Sequence, residues 1–142
     1  MIVDACVWLA AYLEREPRHT ECAVFLRMTH EQGRGLAAPS LLLAEIAGAL
    51  ARQTRNPESV MFTLKAIETN PRLIIHPVTV ELAQRAAAIA GACFLRGADA
   101  VYVALASQTR SVLITIDEEI IERAQKVAKI LTPRDWVKEN GA

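Results

Sequence analysis

Apolar runs too short to be helices, each followed by a segment of helical periodicity, predict an α/β domain with a central parallel sheet covered by helices on both faces. The runs are residues 1–3, 36–38, 73–76, 111–116 and 130–131. They are near-continuously apolar rather than alternating, as strands buried on both faces are. The stretches between them can hold the crossover that parallel neighbours require.

Each element has its own local reason. The first run stops at Asp4, and ACVWLAAY then reads as a helix. Pro17 suits the first turn of a second helix reaching about Thr29. Gly33 and Gly35 punctuate the turn into the 36–38 strand, which Pro39 closes. Ser40 stands where an N-cap is wanted for LLLAEIAGALARQ. Asn56-Pro57 opens the next helix, and Asn70-Pro71 ends it just after Thr69. Beyond the 73–76 strand, Thr79 caps ELAQRAAAIAGACFL, and Arg96-Gly97 separates that helix from DAVYVALASQT. SVLITI is the strongest strand and leads into an amphipathic helix, DEEIIERAQKVAK. After 130–131, Thr132-Pro133 starts a terminal helical turn.

A length of 142 residues suits one domain spanning 1–142, with no internal repeat or linker to divide it. With 52% apolar and 23% charged residues the chain can bury a core, which excludes a disordered protein. Sixteen basic and sixteen acidic residues cancel, so no global charge marks a duplex-binding protein. Cys6, Cys22 and Cys93 are odd in number and have no CxxC spacing, which argues against a disulfide framework or a zinc site. The apolar start lacks a basic leader, and the richest apolar stretch contains Pro39, Ser40 and Glu45, so neither a signal peptide nor a membrane span is expected. These readings place the protein in the cytoplasm.

Four acids stand out. Glu45 is the only charge between Arg34 and Arg52 and shares a helix face with Leu41, Leu42 and Ala49. A buried carboxylate has to be paired, metal-bound or neutralised, because leaving it alone costs several kcal/mol. A half-exposed Glu on a broad apolar helix is the plainer alternative. Asp4 and Asp117 each follow a strand and precede a helix, and Asp99 stands near the start of one. Each of the three is therefore also a candidate N-cap, worth about 1 kcal/mol and nothing more. Taken together, the strand-end acids would meet at one sheet edge, where parallel sheets bind ligands. Carboxylates gathered there repel by about 1–4 kcal/mol per close pair at moderate dielectric. Hard divalent cations relieve that repulsion, and all-oxygen ligation favours Mg²⁺ or Mn²⁺ over zinc. Such a centre can lower the pKa of a water and clamp the oxygens of a phosphodiester.

The segments IVDACVWLA, LLLAEIAGAL, RGADAVYVALA and LITIDEEI, in this order, resemble the four motifs of PIN domains, and the closing ILTPRDW resembles their C-termini. The resemblance covers nearly the full chain. It implies a three-layer α/β/α sandwich with strand order 3-2-1-4-5 and Mg²⁺- or Mn²⁺-dependent cleavage of single-stranded or looped RNA. It gives Asp4, Glu45, Asp99 and Asp117 the catalytic, metal-ligand positions. Thr115 matches a hydroxyl two residues before the last acid, able to hydrogen-bond a ligand carboxylate. Cys6 departs from the Ser, Thr or Asn that PIN domains usually carry there, and a thiol is a weaker partner. Small PIN proteins of this length are commonly VapC-type toxins, homodimeric and held inactive by an antitoxin. A catalytically weak PIN-fold module that binds partners is the alternative.

The remaining residues point elsewhere. Cys6 as a nucleophile has no His near it in sequence, and His19, His30 and His76 lack metal spacing. Trp8 and Trp136 read as packing residues. Arg52, Arg55, Arg96 and Arg110 are candidate RNA contacts, with Arg96 foremost because it lies three residues before Asp99. A receiver-type signalling domain would need a Lys after its last strand, where Thr132-Pro133-Arg134 stands. A haloacid-dehalogenase-like phosphatase would need Asp at position 6. Both leave Glu45 unexplained.

Overall fold

A computed structural model describes residues 1–141; Ala142, the last residue of the expected 1–142 domain, lies outside the described residues. Five strands, β1 (Ile2–Val3), β2 (Leu36–Pro39), β3 (Leu73–His76), β4 (Leu113–Ile114) and β5 (Ile130–Leu131), form one sheet in the order β3-β2-β1-β4-β5. Every pairing is parallel. The expected strand order is therefore the observed one. The described residues form eight helices, α1 (Ala5–Tyr12), α2 (His19–Glu31), α3 (Leu41–Thr54), α4 (Pro57–Glu68), α5 (Val80–Cys93), α6 (Gly97–Thr109), α7 (Glu118–Arg123) and α8 (Pro133–Asn140).

Right-handed crossovers decide which face each helix covers. The chain steps from β1 to β2 to β3 in one direction, which puts α1 to α4 on one face. It then returns past β1 to β4 and on to β5, which puts α5 to α7 on the other. The contacts agree: α1 packs on α2 and α3, α3 on α4, and α5 on α6. The core lies between these layers, with Ile2, Val3, Leu113 and Ile114 almost without exposed surface. Helix α6 is buried along its whole middle, from Ala100 to Ala106.

Several expected boundaries move, each for a physical reason. Pro17 lies in a turn, and α2 starts at His19. The 111–116 strand pairs only over Leu113–Ile114. The helix expected over 117–129 stops at Arg123. A two-residue parallel strand rises about 7 Å, and six helical residues return about 9 Å, so a longer α7 would overshoot the start of β5. Ser40 precedes α3 but makes no cap bond; its hydroxyl accepts from the Val78 N–H at 3.3 Å. Asn56, Thr79 and Thr132 do cap α4, α5 and α8 through their side chains.

Trp8 and Trp136 are both buried packing residues. Trp136 fixes α8 against α2 by meeting Phe25 edge-on, with ring centroids 5.2 Å apart. No single helix among the described residues is long and apolar enough to cross a membrane.

Trp136→Ala is expected to cost about 3–5 kcal/mol, as large-to-small core changes do. Asn56→Ala, which removes only a cap, is expected to cost about 1 kcal/mol. Urea unfolding of the two variants measures both, and a Trp136→Ala penalty no larger than the cap's would mean that α8 is not part of the cooperative core.

Candidate active site

The sheet's order reverses between β1 and β4: the chain leaves β1 towards β2 and leaves β4 towards β5. Ligands of open parallel sheets bind at such a switch point, outside the carboxyl ends of the strands. Asp4 and Asp117 follow those two strand ends. A cavity of about 300 Å³ opens there, and Asp4, Glu45, Asp99 and Asp117 all line it, together with Cys6, Arg52 and Arg96. The four acids come from four elements on both sides of the sheet, and the fold brings all of them to one place.

Asp4 is the deepest of them, 5% exposed. Pairing of Ile2 with Leu113 and Val3 with Ile114 carries on by one residue, so Asp4 comes alongside Thr115. The Thr115 hydroxyl donates to Asp4 Oδ2 at 2.6 Å, and the Cys6 thiol donates to the same oxygen at 3.1 Å. Both contacts fall on Oδ2, which leaves Oδ1 for a ligand. Asp4 holds the N-cap position of α1 but makes no side-chain cap bond, so the capping explanation fails for it. Burial raises its pKa; the Thr115 and Cys6 bonds pull the other way, and the charge of Asp99 adds to the rise.

Glu45 is half-buried on α3, and its Oε2 accepts a 2.6 Å bond from the Tyr102 hydroxyl. That bond joins α3 of one layer to α6 of the other. Burial raises the Glu45 pKa, opposed by Tyr102 and reinforced by the charges of Asp4 and Asp99. The sequence reading missed Tyr102. Its signal was present: a tyrosine one helical turn beyond Asp99 in an otherwise apolar helix needs a partner for its hydroxyl.

Asp99 is not a cap either. Arg96 occupies the N-cap position of α6, and Asp99 lies in the first helical turn. Burial raises the Asp99 pKa, while the bond from Arg96 lowers it. Asp117 does cap α7, its Oδ1 accepting from the Ile120 N–H at 3.1 Å. Its own N–H donates to Thr115 Oγ1 at 3.0 Å, so one hydroxyl ties Asp4 and Asp117 together. Arg96 donates from Nε to Asp99 Oδ2 at 2.8 Å and from Nη2 to Asp117 Oδ2 at 3.1 Å.

Of the other arginines weighed, Arg52 lines the cavity. Arg55 and Arg110 end α3 and α6 in left-handed backbone conformations and do not line it. Burial first, and the Asp4 charge second, push the Cys6 thiol pKa well up, which argues against a nucleophile.

The PIN-domain family model matches residues 1–127, which takes in every one of these side chains. The chain belongs to the PIN-domain family. Among solved structures, VapC20 of Mycobacterium tuberculosis, a toxin that cleaves the sarcin-ricin loop, is similar at 18% identity and TM-score 0.69, over 82% of this chain and 89% of that one. VapBC2 of Rickettsia felis, bound to a DNA fragment from its promoter, is similar at 12% identity and TM-score 0.71, over 92% and 96%. A toxin–antitoxin complex from Klebsiella pneumoniae is similar at 16% identity and TM-score 0.64, over 93% and 96%. No curated protein matches in sequence.

The donor set of this PIN domain fits a hard divalent cation. Every candidate ligand is a carboxylate oxygen, and burial first, with neighbouring negative charge adding to it, raises the pKa of Asp4, Glu45 and Asp99. As placed, no three Asp, Glu, His or Cys side chains among the described residues converge closely enough to share one ion. Instead the Arg96 guanidinium stands against two of the acids.

The raised pKa of Asp4 has a consequence for stability. The unfolded chain ionises Asp near pH 4, whereas the fold resists ionisation at this position. Its contribution is therefore fully present below that pH and is lost as pH climbs through the raised value. In EDTA, Asp4→Asn should match the wild type at low pH and become the more stable protein towards neutrality. Urea midpoints from pH 4 to 8 read the gap, and a gap that closes as pH rises contradicts the account.

Tyr102→Phe removes the bond that holds the ionised form of Glu45. The Glu45 pKa should rise further, which carboxyl NMR titration would detect, and affinity for Mn²⁺ should fall by roughly 10–100-fold. An unmoved Glu45 titration would show that the tyrosine has no hold on it.

Proposed function

We propose that this PIN domain is a metal-dependent endoribonuclease that hydrolyses phosphodiester bonds of single-stranded or looped RNA, as the toxin of a toxin–antitoxin pair. The observation that carries the reading is the convergence of Asp4, Glu45, Asp99 and Asp117 on one cavity at the switch point. The solved neighbours named for toxins and toxin–antitoxin complexes support it.

Asp4, Glu45, Asp99 and Asp117 would hold Mg²⁺ or Mn²⁺. When bound, the ion supplies positive charge against the phosphodiester and eases deprotonation of the attacking water. The chain's own residues do the rest. Thr115 and Cys6 fix the Asp4 carboxylate in one orientation, and Tyr102 does the same for Glu45. Thr115 also accepts from the Asp117 N–H, so one hydroxyl links the Asp4 carboxylate to the backbone at Asp117. Arg52 and Arg96, the basic side chains lining the cavity, would be the groups to meet phosphate.

The same reading makes the chain one domain of a cytoplasmic protein that is homodimeric and bound by an antitoxin. Met61, Phe62, Val80 and Phe94 are 65–80% exposed and offer apolar surface for such partners. A catalytically weak binding module is the second reading, favoured by Cys6 standing where a hydroxyl or amide is usual.

Purified protein should cleave single-stranded RNA with Mg²⁺ or Mn²⁺, stop with EDTA, and lose at least about 100-fold of its rate on Asp4→Asn, more than loss of an outer partner costs. At a hundredfold excess over Kd, Mn²⁺ should add about 2.7 kcal/mol of stability, roughly 8 °C in Tm. Cleavage in EDTA would exclude the mechanism, cleavage surviving Asp4→Asn would exclude the ligand assignment, and metal binding without turnover would favour the binding module.

A further inference from the structure

We propose that Arg96 is a built-in counter-cation of the acidic cavity and competes with the divalent ion for Asp99 and Asp117. The inference rests on the metal-dependent reading above and adds a determinant of how tightly the metal is held.

The geometry assigns this role to one residue. Arg96 stands at the N-cap of α6 with an extended backbone, φ −62° and ψ 149°. From there its side chain reaches Asp99, three residues on, and Asp117, twenty-one residues on, which lie on different elements. A planar guanidinium can bridge two carboxylates in this way because its donors form a rigid fork. It is the only side chain paired with either acid among the described residues.

The competition follows from which oxygens are taken. Asp117 Oδ1 already accepts from the Ile120 N–H, so Oδ2 is the less occupied oxygen for any other ligand. Arg96 holds that oxygen. On Asp99 the oxygen held is again Oδ2. An ion drawn in between the acids would lie within a few ångströms of the guanidinium, and the repulsion between the two cations works against the Asp117 contact.

Exposure shows that displacement is feasible. The Arg96 side chain is 70% exposed, against 13% for Asp99 and 22% for Asp117. The arginine lies over the acids and can swing into water without opening the core. Until an ion arrives, it screens the repulsion between carboxylates that the fold crowds together. After displacement it remains tethered beside the cavity.

The test is Mn²⁺ binding to the full chain, followed by calorimetry and by electron paramagnetic resonance of free Mn²⁺, for the wild type, Arg96→Gln and Arg96→Lys. Loss of two ion pairs that oppose binding should lower the Mn²⁺ Kd of Arg96→Gln by roughly three- to thirtyfold. Arg96→Lys, which keeps the charge but loses the fork, should fall between. In EDTA the Arg96→Gln variant should melt below the wild type, and saturating Mn²⁺ should close that difference. An unchanged or weakened Mn²⁺ affinity in Arg96→Gln overturns the inference while leaving the metal site standing. Failure of both the wild type and Arg96→Gln to take up Mn²⁺ at millimolar concentration overturns the metal reading and this inference with it.

Discussion

A carboxylate withdrawn from water at the end of a central strand has to be hydrogen-bonded, protonated or matched by a cation. Asp4 is in that position because β1 is flanked on both sides and covered on both faces, so its end meets solvent only through the cavity. The parallel register with β4 then decides its company. One residue beyond the paired Val3 and Ile114, Asp4 comes beside Thr115, and the hydroxyl of Thr115 also takes the N–H of Asp117. A one-residue slip of β1 against β4 would separate Asp4 from Thr115 and turn its carboxylate to the other face of the sheet. The acidic centre is thus a product of sheet register before it is a product of any side-chain preference.

The two helical layers meet at the same point. Glu45 reaches the cavity from α3 and Tyr102 from α6, and their bond spans the sheet's carboxyl edge. Tyr102 belongs to the buried middle of α6, in a run of side chains with almost no exposure. Core packing therefore aims the hydroxyl, and the hydroxyl aims Glu45. Sites held through packed elements in this way are more exact than sites held by loops. Their cost is equally plain: burial raises the pKa of three carboxylates, so keeping them ionised at neutral pH works against folding.

Much of this was legible in the chain. An isolated Glu on an apolar helix face can be read directly, because burial of charge needs a reason. Acids that directly follow apolar runs can be read too, because parallel sheets put strand ends on one edge. What could not be read is whatever depends on distance across the fold. Asp4, Asp99 and Asp117 look equally like caps in sequence, yet only Asp117 caps, because Asp4 is claimed by Thr115 and Arg96 takes the cap position ahead of Asp99. The stop of α7 at Arg123 is set by where β5 must begin, a constraint on the closed structure that the apolar periodicity of residues 117–129 does not express. Tyr102 left a local trace, but its partner lies 57 residues away.

The balance of sixteen basic against sixteen acidic residues acquires a local meaning once Arg96 is placed. Long-range steering of an anion needs a net positive field, which this chain lacks, so under the proposed function attraction of phosphate would have to be generated within the cavity itself. Four carboxylates alone would repel it. Under the proposed function a bound cation would reverse the sign of the cavity, and the arginines lining it would add positive charge. The sign of the site is then conditional: acidic and partly neutralised by the chain's own guanidinium in one state, attractive to an anion in the other. Asp117 links that condition to the backbone, since one of its oxygens caps α7 while the other answers to whichever cation is present. A change of cation at this carboxylate would therefore be felt at the start of a helix, through a single side chain that is bonded at both oxygens.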